Sequence, residues 1–328
     1  VDNLGITDRR RLRRKLTFWR IAAFVALVAL VAGLGRMSGL AGEGERTRDH
    51  IARVEVSGVV TADEDLLERL EDIKDDPSVK ALIVAIESPG GTTYGGERIY
   101  KAVRDVAEQK PVAAEVRGLA ASAGYMIASA TDHIVAGEAS IVGSIGVLFQ
   151  YGNVSELLDN LGISVDSVKS APLKAEPSPF EPADPAAEEM IRALVMDSYE
   201  WFVDIVAERR EMSEGEALAL ADGSIFTGRQ ALDNGLIDAL GAEQEIRAFF
   251  EERSVPANLE IIEWEEEQEN RFFFAEALAA AISQWAGANL PFGEAFEGLS
   301  DRKLFLDGLV SVWQFGGGQA RDDWGNTP

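Results

Sequence analysis

The 328 residues contain no cysteine and only two histidines. The first absence excludes disulfides, thiolate nucleophiles, cysteine metal sites and lipidated cysteines. The second leaves little for a Ser-His-Asp triad and, with no cysteine, disfavours zinc. Basic residues are also scarce: 31 Lys and Arg face 56 Asp and Glu, a net charge of −25. Nucleic-acid phosphates would be repelled, so no nucleic-acid partner is expected. Disorder of the whole chain is excluded by a hydrophobic content of 46%.

The charge is segregated. Residues 1–36 hold eight Lys/Arg and two Asp/Glu, so the remainder carries 23 basic and 54 acidic residues. Arg9, Arg10, Arg11, Arg13, Arg14, Lys15 and Arg20 precede an apolar stretch from Ile21 to Gly35. Counted from Leu16 the stretch reaches spanning length, about 20 residues, with Arg20 snorkelling and Trp19 at the interface. The expectation is one N-terminal transmembrane anchor, residues 1–36. The N-terminus would be cytoplasmic and the body outside the cytoplasmic membrane. A cleaved secretory signal is the rival reading.

A polar linker, residues 37–51, leads into the body. Val79 to Ile86 is a continuous apolar run, as in a buried parallel strand. Glu87-Ser-Pro-Gly-Gly91 breaks it, and helical spacing follows to about Gln109. Pro111–Val116 reads as a second buried strand, Ser122–Ala130 as a helix and His133–Ala136 as a strand. This alternation predicts an α/β fold with a largely parallel sheet. Ile163 to Val168 alternates like a strand ending at Lys169. Residues 171–185 hold five prolines and predict irregular chain. Asp184-Pro185 predicts the start of a long helix. Residues 251–328 read as an acidic and apolar extension, ending in a disordered tail.

Ser122 lies among small residues, Gly118-Leu-Ala-Ala-Ser-Ala-Gly-Tyr125. Small neighbours admit a substrate backbone, and a helix N-terminus favours developing negative charge. An ordinary N-cap serine fits the same pattern, and the Gly-x-Ser-x-Gly elbow is absent. Gly90 and Gly91 would offer backbone N–H groups to an oxyanion or to an added strand. His50 and His133 read as structural. A serine nucleophile without histidine needs another base, and lysine can serve when burial lowers its pKa from about 10.4 toward 7. Among eight lysines, Lys169 and Lys174 border the proline-rich loop, and their apolar approaches differ only slightly in favour of Lys174.

Five ordered stretches resemble signal peptide peptidases of the SppA type, a Ser-Lys serine protease family (peptidase family S49). They are Glu87–Gly91, Leu119–Tyr125, Val142–Val147, Val168–Lys174, and Asp222–Ala231 with Gly235–Asp238. The resemblance covers roughly residues 52–250. It implies a ClpP/crotonase-like fold of repeated ββα units, with Ser122 as nucleophile and Lys174 as general base. It also implies that Ser144 positions the lysine, and that the N–H groups of Gly91 (or Gly90) and Ala123 form the oxyanion hole. Many members have glycine at position 123; alanine keeps the N–H. The resemblance further implies no cofactor, a membrane-bound enzyme of the bacterial cytoplasmic membrane, and cleaved signal peptides and other apolar peptides as substrates. A ring-like homo-oligomer is implied too, of eight subunits in short members. A crotonase-like acyl-CoA enzyme and a silent peptide-binding scaffold are the competing expectations.

Overall fold

The computed structural model describes residues 48–265 and the strand 310–312. The expected anchor, residues 1–36, lies outside the described residues. Among the described residues no helix is long and apolar enough to cross a membrane. The chain divides at His50/Ile51, and the candidate site belongs to the second unit.

The strands are β1 His50–Val60, β2 Val79–Thr92, β3 Val112–Ala121, β4 His133–Ala136, β5 Ile141–Gly143, β6 Ile225–Thr227, β7 Ala239–Leu240, β8 Glu260–Glu263 and β9 Val310–Val312. The helices are α1 Glu64–Asp75, α2 Thr93–Ala107, α3 Ala123–Ser129, α4 Ser155–Leu161, α5 Pro185–Arg209, α6 Glu214–Leu220, α7 Gly228–Asp233 and α8 Glu243–Glu252. The sheet runs β6-β5-β3-β2-β1-β8, with β4 also on β3, β7 on β4 and β9 on β2. β3 is parallel to β2, β4 and β5, and β4 to β7; β5–β6 and β2–β9 are antiparallel. The fold is thus α/β with a largely parallel sheet.

Burial on both faces explains why β2 has no polar alternation. Leu82, Val84 and Ile86 face a core with α1, α2, α3 and α5, while Ala81 and Ile83 face Ile246, Phe249 and Phe250 of α8. A strand covered on both sides reads as one apolar run. The helices start where the sequence supplies caps. Asp63 accepts the Leu66 N–H at 3.1 Å, and Thr92 the Gly95 N–H at 3.0 Å.

β3 changes partner along its length, and this places the site. Ala113–Val116 pair with β4, whereas Leu119–Ala121 pair with β5. The β2–β3 register shifts at the same level, between Ile86 and Ser88, with Ser88 then opposite Ala120. A bulge bends the strand that carries it, and this one lies where β3 leaves β4 for β5.

Two expectations need correction. Ile163–Val168 forms no strand, and Ile163, Val165 and Val168 are exposed. Alternation supplies a strand's faces but not the neighbour that must pair with it. Ile191, Leu194, Val195, Phe202, Val203 and Val206 are spaced as the apolar stripe of an amphipathic helix, yet α5 does not bury them alike: Phe202, Val203 and Val206 are buried, whereas Leu194 is 49% exposed.

Candidate active site

Ser122 is the hinge between β3 and α3. Its N–H donates to Gly143 O at 2.8 Å, carrying the β3–β5 ladder one step beyond Ala121. Its carbonyl accepts the Met126 N–H at 2.9 Å, the first turn of α3. To leave the strand and enter the helix at once, Ser122 adopts φ 56° and ψ −119°. That region suits glycine, and a serine held there stores about 1–3 kcal/mol. The side chain makes no capping hydrogen bond to α3, so Ser122 is not the ordinary N-cap that its sequence also allowed.

The surroundings fix that hinge. All seven residues of α3 are buried. The Tyr125 hydroxyl donates to Leu236 O at 2.8 Å, and burial pushes its pKa up. A Cβ on Gly124 would lie 3.1 Å from Ser88 O, and one on Gly96 would lie 3.1 Å from the Ala123 Cβ. The small residues of the motif therefore let α3 sit against β2 and α2. Ser122 itself is 1% exposed.

Ser144 follows β5, one residue past the Gly143 carbonyl that holds Ser122. It too has positive φ, 53°, and its N–H donates to Ser224 O at 2.7 Å. The β3–β5 register pairs Ala121 with Gly143, which puts Ser144 level with Ser122. Gly90 and Gly91 end β2. Continuing the Ser88–Ala120 register brings Gly90 level with Ser122. Gly90 has φ 107°, and its N–H donates to Ser88 Oγ at 3.1 Å. A Cβ on Gly91 would fall 1.9 Å from Val60 O, so only glycine fits that approach to β1. Along the same stretch runs β9, antiparallel, with Ser311 opposite Gly91.

The two candidate lysines have different surroundings. Lys169 donates to Glu176 and, at 2.7 Å, to Glu181. Those hydrogen bonds, Glu176 first, raise the Lys169 pKa, and Lys169 in turn lowers that of Glu176. Lys169 is therefore held as a cation and ties the loop together. Lys174 is exposed, in a turn closed by its own N–H on Ala171 O at 3.1 Å. The registers set Gly90, Gly91, Ser122, Ala123 and Ser144 at the same end of the sheet, while Lys174 stands in an exposed turn.

Neither histidine serves Ser122. His50 is 1% exposed, with Nδ1 2.8 Å from Arg48 O. His133 begins β4, opposite Ala113 at the far end of β3, and stacks on Phe249 at 4.5 Å. Burial lowers its pKa despite the pull of Asp238. Among the described residues no group of three His, Asp or Glu side chains could hold a metal.

The sequence reading gave no separate role to Ser88. Its signal was its place in Glu87-Ser-Pro-Gly-Gly91, immediately before a proline and the two glycines.

The sequence model of peptidase family S49 matches residues 104–255, and that of Clp protease matches residues 60–139. The chain is 37% identical over 205 residues to a Synechocystis protein provisionally named a protease, covering 62% of this chain and 74% of that one. A Methanocaldococcus jannaschii protein, also provisionally named a protease, is 36% identical over 204 residues, covering 62% and 66%. An Enterococcus faecium protein provisionally named signal peptide peptidase SppA is 29% identical over 255 residues, covering 77% and 74%.

Proposed function

The chain belongs to peptidase family S49, in its SppA type, and we propose that it works as a serine endopeptidase in which Lys174 takes the proton of Ser122. The observation that carries this reading is the Ser122 backbone, φ 56° and ψ −119° at a strand-to-helix hinge, with a side chain that caps nothing on α3. Strain of that kind concentrates at functional sites.

The steps follow from the residues. Neutral Lys174 accepts the Ser122 hydroxyl proton, and Oγ attacks the scissile carbonyl. The N–H groups of Gly91 and Ala123 receive the oxyanion. Gly90 is the weaker candidate, because its N–H already donates to Ser88. The tetrahedral intermediate collapses as the Lys174 ammonium protonates the leaving amine. Water, giving its proton to Lys174, then hydrolyses the acyl-serine ester. Ser144, level with Ser122, would hold the lysine ammonium.

The substrate would lie extended along Gly90–Thr92. Support comes from β9, a segment of the same chain that pairs antiparallel with those residues. Substrates of this mode are unfolded peptides, and the basic head with its apolar span, residues 1–36, argues for cleaved signal peptides and similar apolar segments at the membrane. On this reading the enzyme is a single-pass protein of the bacterial cytoplasmic membrane, with its catalytic domain outside.

A homo-oligomer completes the site. No residue of α4 is buried, and Leu157, Leu161 and Leu173 are 58%, 64% and 40% exposed. Apolar exposure of this kind suits a surface that another chain covers. A neighbouring copy would cover the arm, and the arm would deliver Lys174 to that copy's Ser122. The test mixes two inactive variants, Ser122→Ala and Lys174→Met, under conditions of subunit exchange. Random mixing should restore about a quarter of wild-type peptide hydrolysis, as expected for a ring with heterologous contacts. Continued inactivity of the exchanged mixture would contradict a shared site.

A further inference from the structure

We infer that Ser88 is a positioning residue, whose buried hydroxyl aims the Gly91 N–H at the oxyanion; the inference rests on the reading of Ser122 as nucleophile. Ser88 is 0% exposed. Its Oγ donates to Gly58 O at 2.6 Å and accepts the Gly90 N–H at 3.1 Å. One hydroxyl thus joins β1 to the glycine pair that ends β2.

The need for such a joint follows from the sequence. Two consecutive glycines are the softest backbone a chain can present. An oxyanion donor must instead be held in advance, because reorganisation during the reaction adds to the barrier. Two contacts remove the softness. Ahead of the pair, Ser88 Oγ holds the Gly90 N–H and so the peptide plane that carries it. At the second glycine, Val60 packs so close that a Cβ on Gly91 would lie 1.9 Å from its carbonyl oxygen and 2.5 Å from its nitrogen. With Gly90 engaged by Ser88, the next N–H along the chain is that of Gly91.

Ser88 also touches the helix that carries the nucleophile. Its carbonyl oxygen and Cβ would lie 3.1 and 3.3 Å from a Cβ on Gly124. Opposite Ser88 across the β2–β3 register is Ala120, two residues before Ser122. The residue therefore sits where the oxyanion strand and the nucleophile hinge meet. The bulge between Ile86 and Ser88 is the local device that sets it there.

The experiment compares wild type with Ser88→Ala and Ser88→Cys in full-length protein, using a fluorogenic peptide. Rates are normalised to sites titrated by a fluorophosphonate, so unfolded molecules are not counted. The loss of an aligned oxyanion donor predicts a kcat per titrated site about 10- to 100-fold lower for Ser88→Ala, with KM within about threefold. The inhibition constant of a peptide boronate, which forms a tetrahedral adduct, should weaken by the same factor. Ser88→Cys, with a weaker donor and similar volume, should fall between, and decides the matter if Ser88→Ala does not fold. A purely structural role leaves kcat per titrated site at the wild-type value while the number of sites drops, and that result overturns the inference. Failure of wild type to react with the fluorophosphonate would instead overturn the reading of Ser122.

Discussion

Ser122→Gly should abolish peptide hydrolysis and make the protein more stable. The activity loss follows from removing the nucleophile and should be on the order of 10⁴-fold or more in kcat/KM. The stability gain follows from the backbone. At φ 56° and ψ −119° a side-chain-bearing residue stores about 1–3 kcal/mol, which glycine does not. Glycine loses roughly 0.5–1 kcal/mol more conformational entropy on folding. The net is a gain of about 1 kcal/mol, or about 2–4 °C in Tm for a unit of this size. Ser122→Ala should be equally inactive but without the gain, because alanine keeps a Cβ at positive φ. Differential scanning calorimetry of both variants checks this. A Tm for Ser122→Gly below that of wild type would mean the hinge is not strained, and the main support for the nucleophile would go.

Lys174→Met should lower kcat by roughly 10³-fold, within the span of general-base contributions. Lys169→Met should leave kcat within about fivefold, because ion pairs near the surface contribute little and neither partner is a candidate base. The contrast is informative because the two lysines lie five residues apart on one arm. Hydrogen bonds donated to Glu176 and Glu181 raise the Lys169 pKa, so removing that cation removes no base.

The pH profile carries the same distinction. The raised Lys169 contributes stability that is present below the unfolded lysine value and lost as pH climbs through the raised value. Lowered chiefly by Lys169, Glu176 contributes stability that is present above the unfolded carboxylate value and lost as pH falls through the lowered one. Between pH 6 and 9 both stay charged, so the arm they tie is constant. Lys169→Met should therefore keep the wild-type pH profile of kcat/KM across that window. An equal loss of activity in Lys169→Met and Lys174→Met would remove Lys174 from the mechanism.

Much of the framework was legible where a local pattern and its tertiary use agree. Val79–Ile86 lies in a strand covered on both faces, and unbroken apolar sequence says so. His133–Ala136 is a strand at the predicted bounds. Illegible features depend on partners distant in sequence. β6 and β7, three and two residues long, exist because β5 and β4 offer edges, not because of any pattern of their own. Ile163–Val168 has the pattern without a partner. Val310–Val312, in a stretch with no readable motif, becomes a strand because β2 presents Gly90–Thr92 to it.

The site divides in the same way. Residue types pointed to Ser122 and the glycine pair, and the resemblance added Ser144; all lie at the same ends of β2, β3 and β5. The strain at Ser122 could not be read, since serine at an ordinary cap has the same neighbours in sequence. Ser88 was hidden because its role lies in a bond to Gly58, 30 residues away. Lys169 differs from Lys174 in its bonds to Glu176 and Glu181, carboxylates that a loop read only as proline-rich did not bring forward.

The most direct test is the intact mass of the full-length protein after brief exposure to a fluorophosphonate, followed by mapping of the modified residue. The account predicts one adduct per chain, on Ser122, forming far more slowly in Lys174→Met and at nearly the wild-type rate in Lys169→Met. An adduct on another residue, or labelling of Ser122 at the same rate without Lys174, would contradict it.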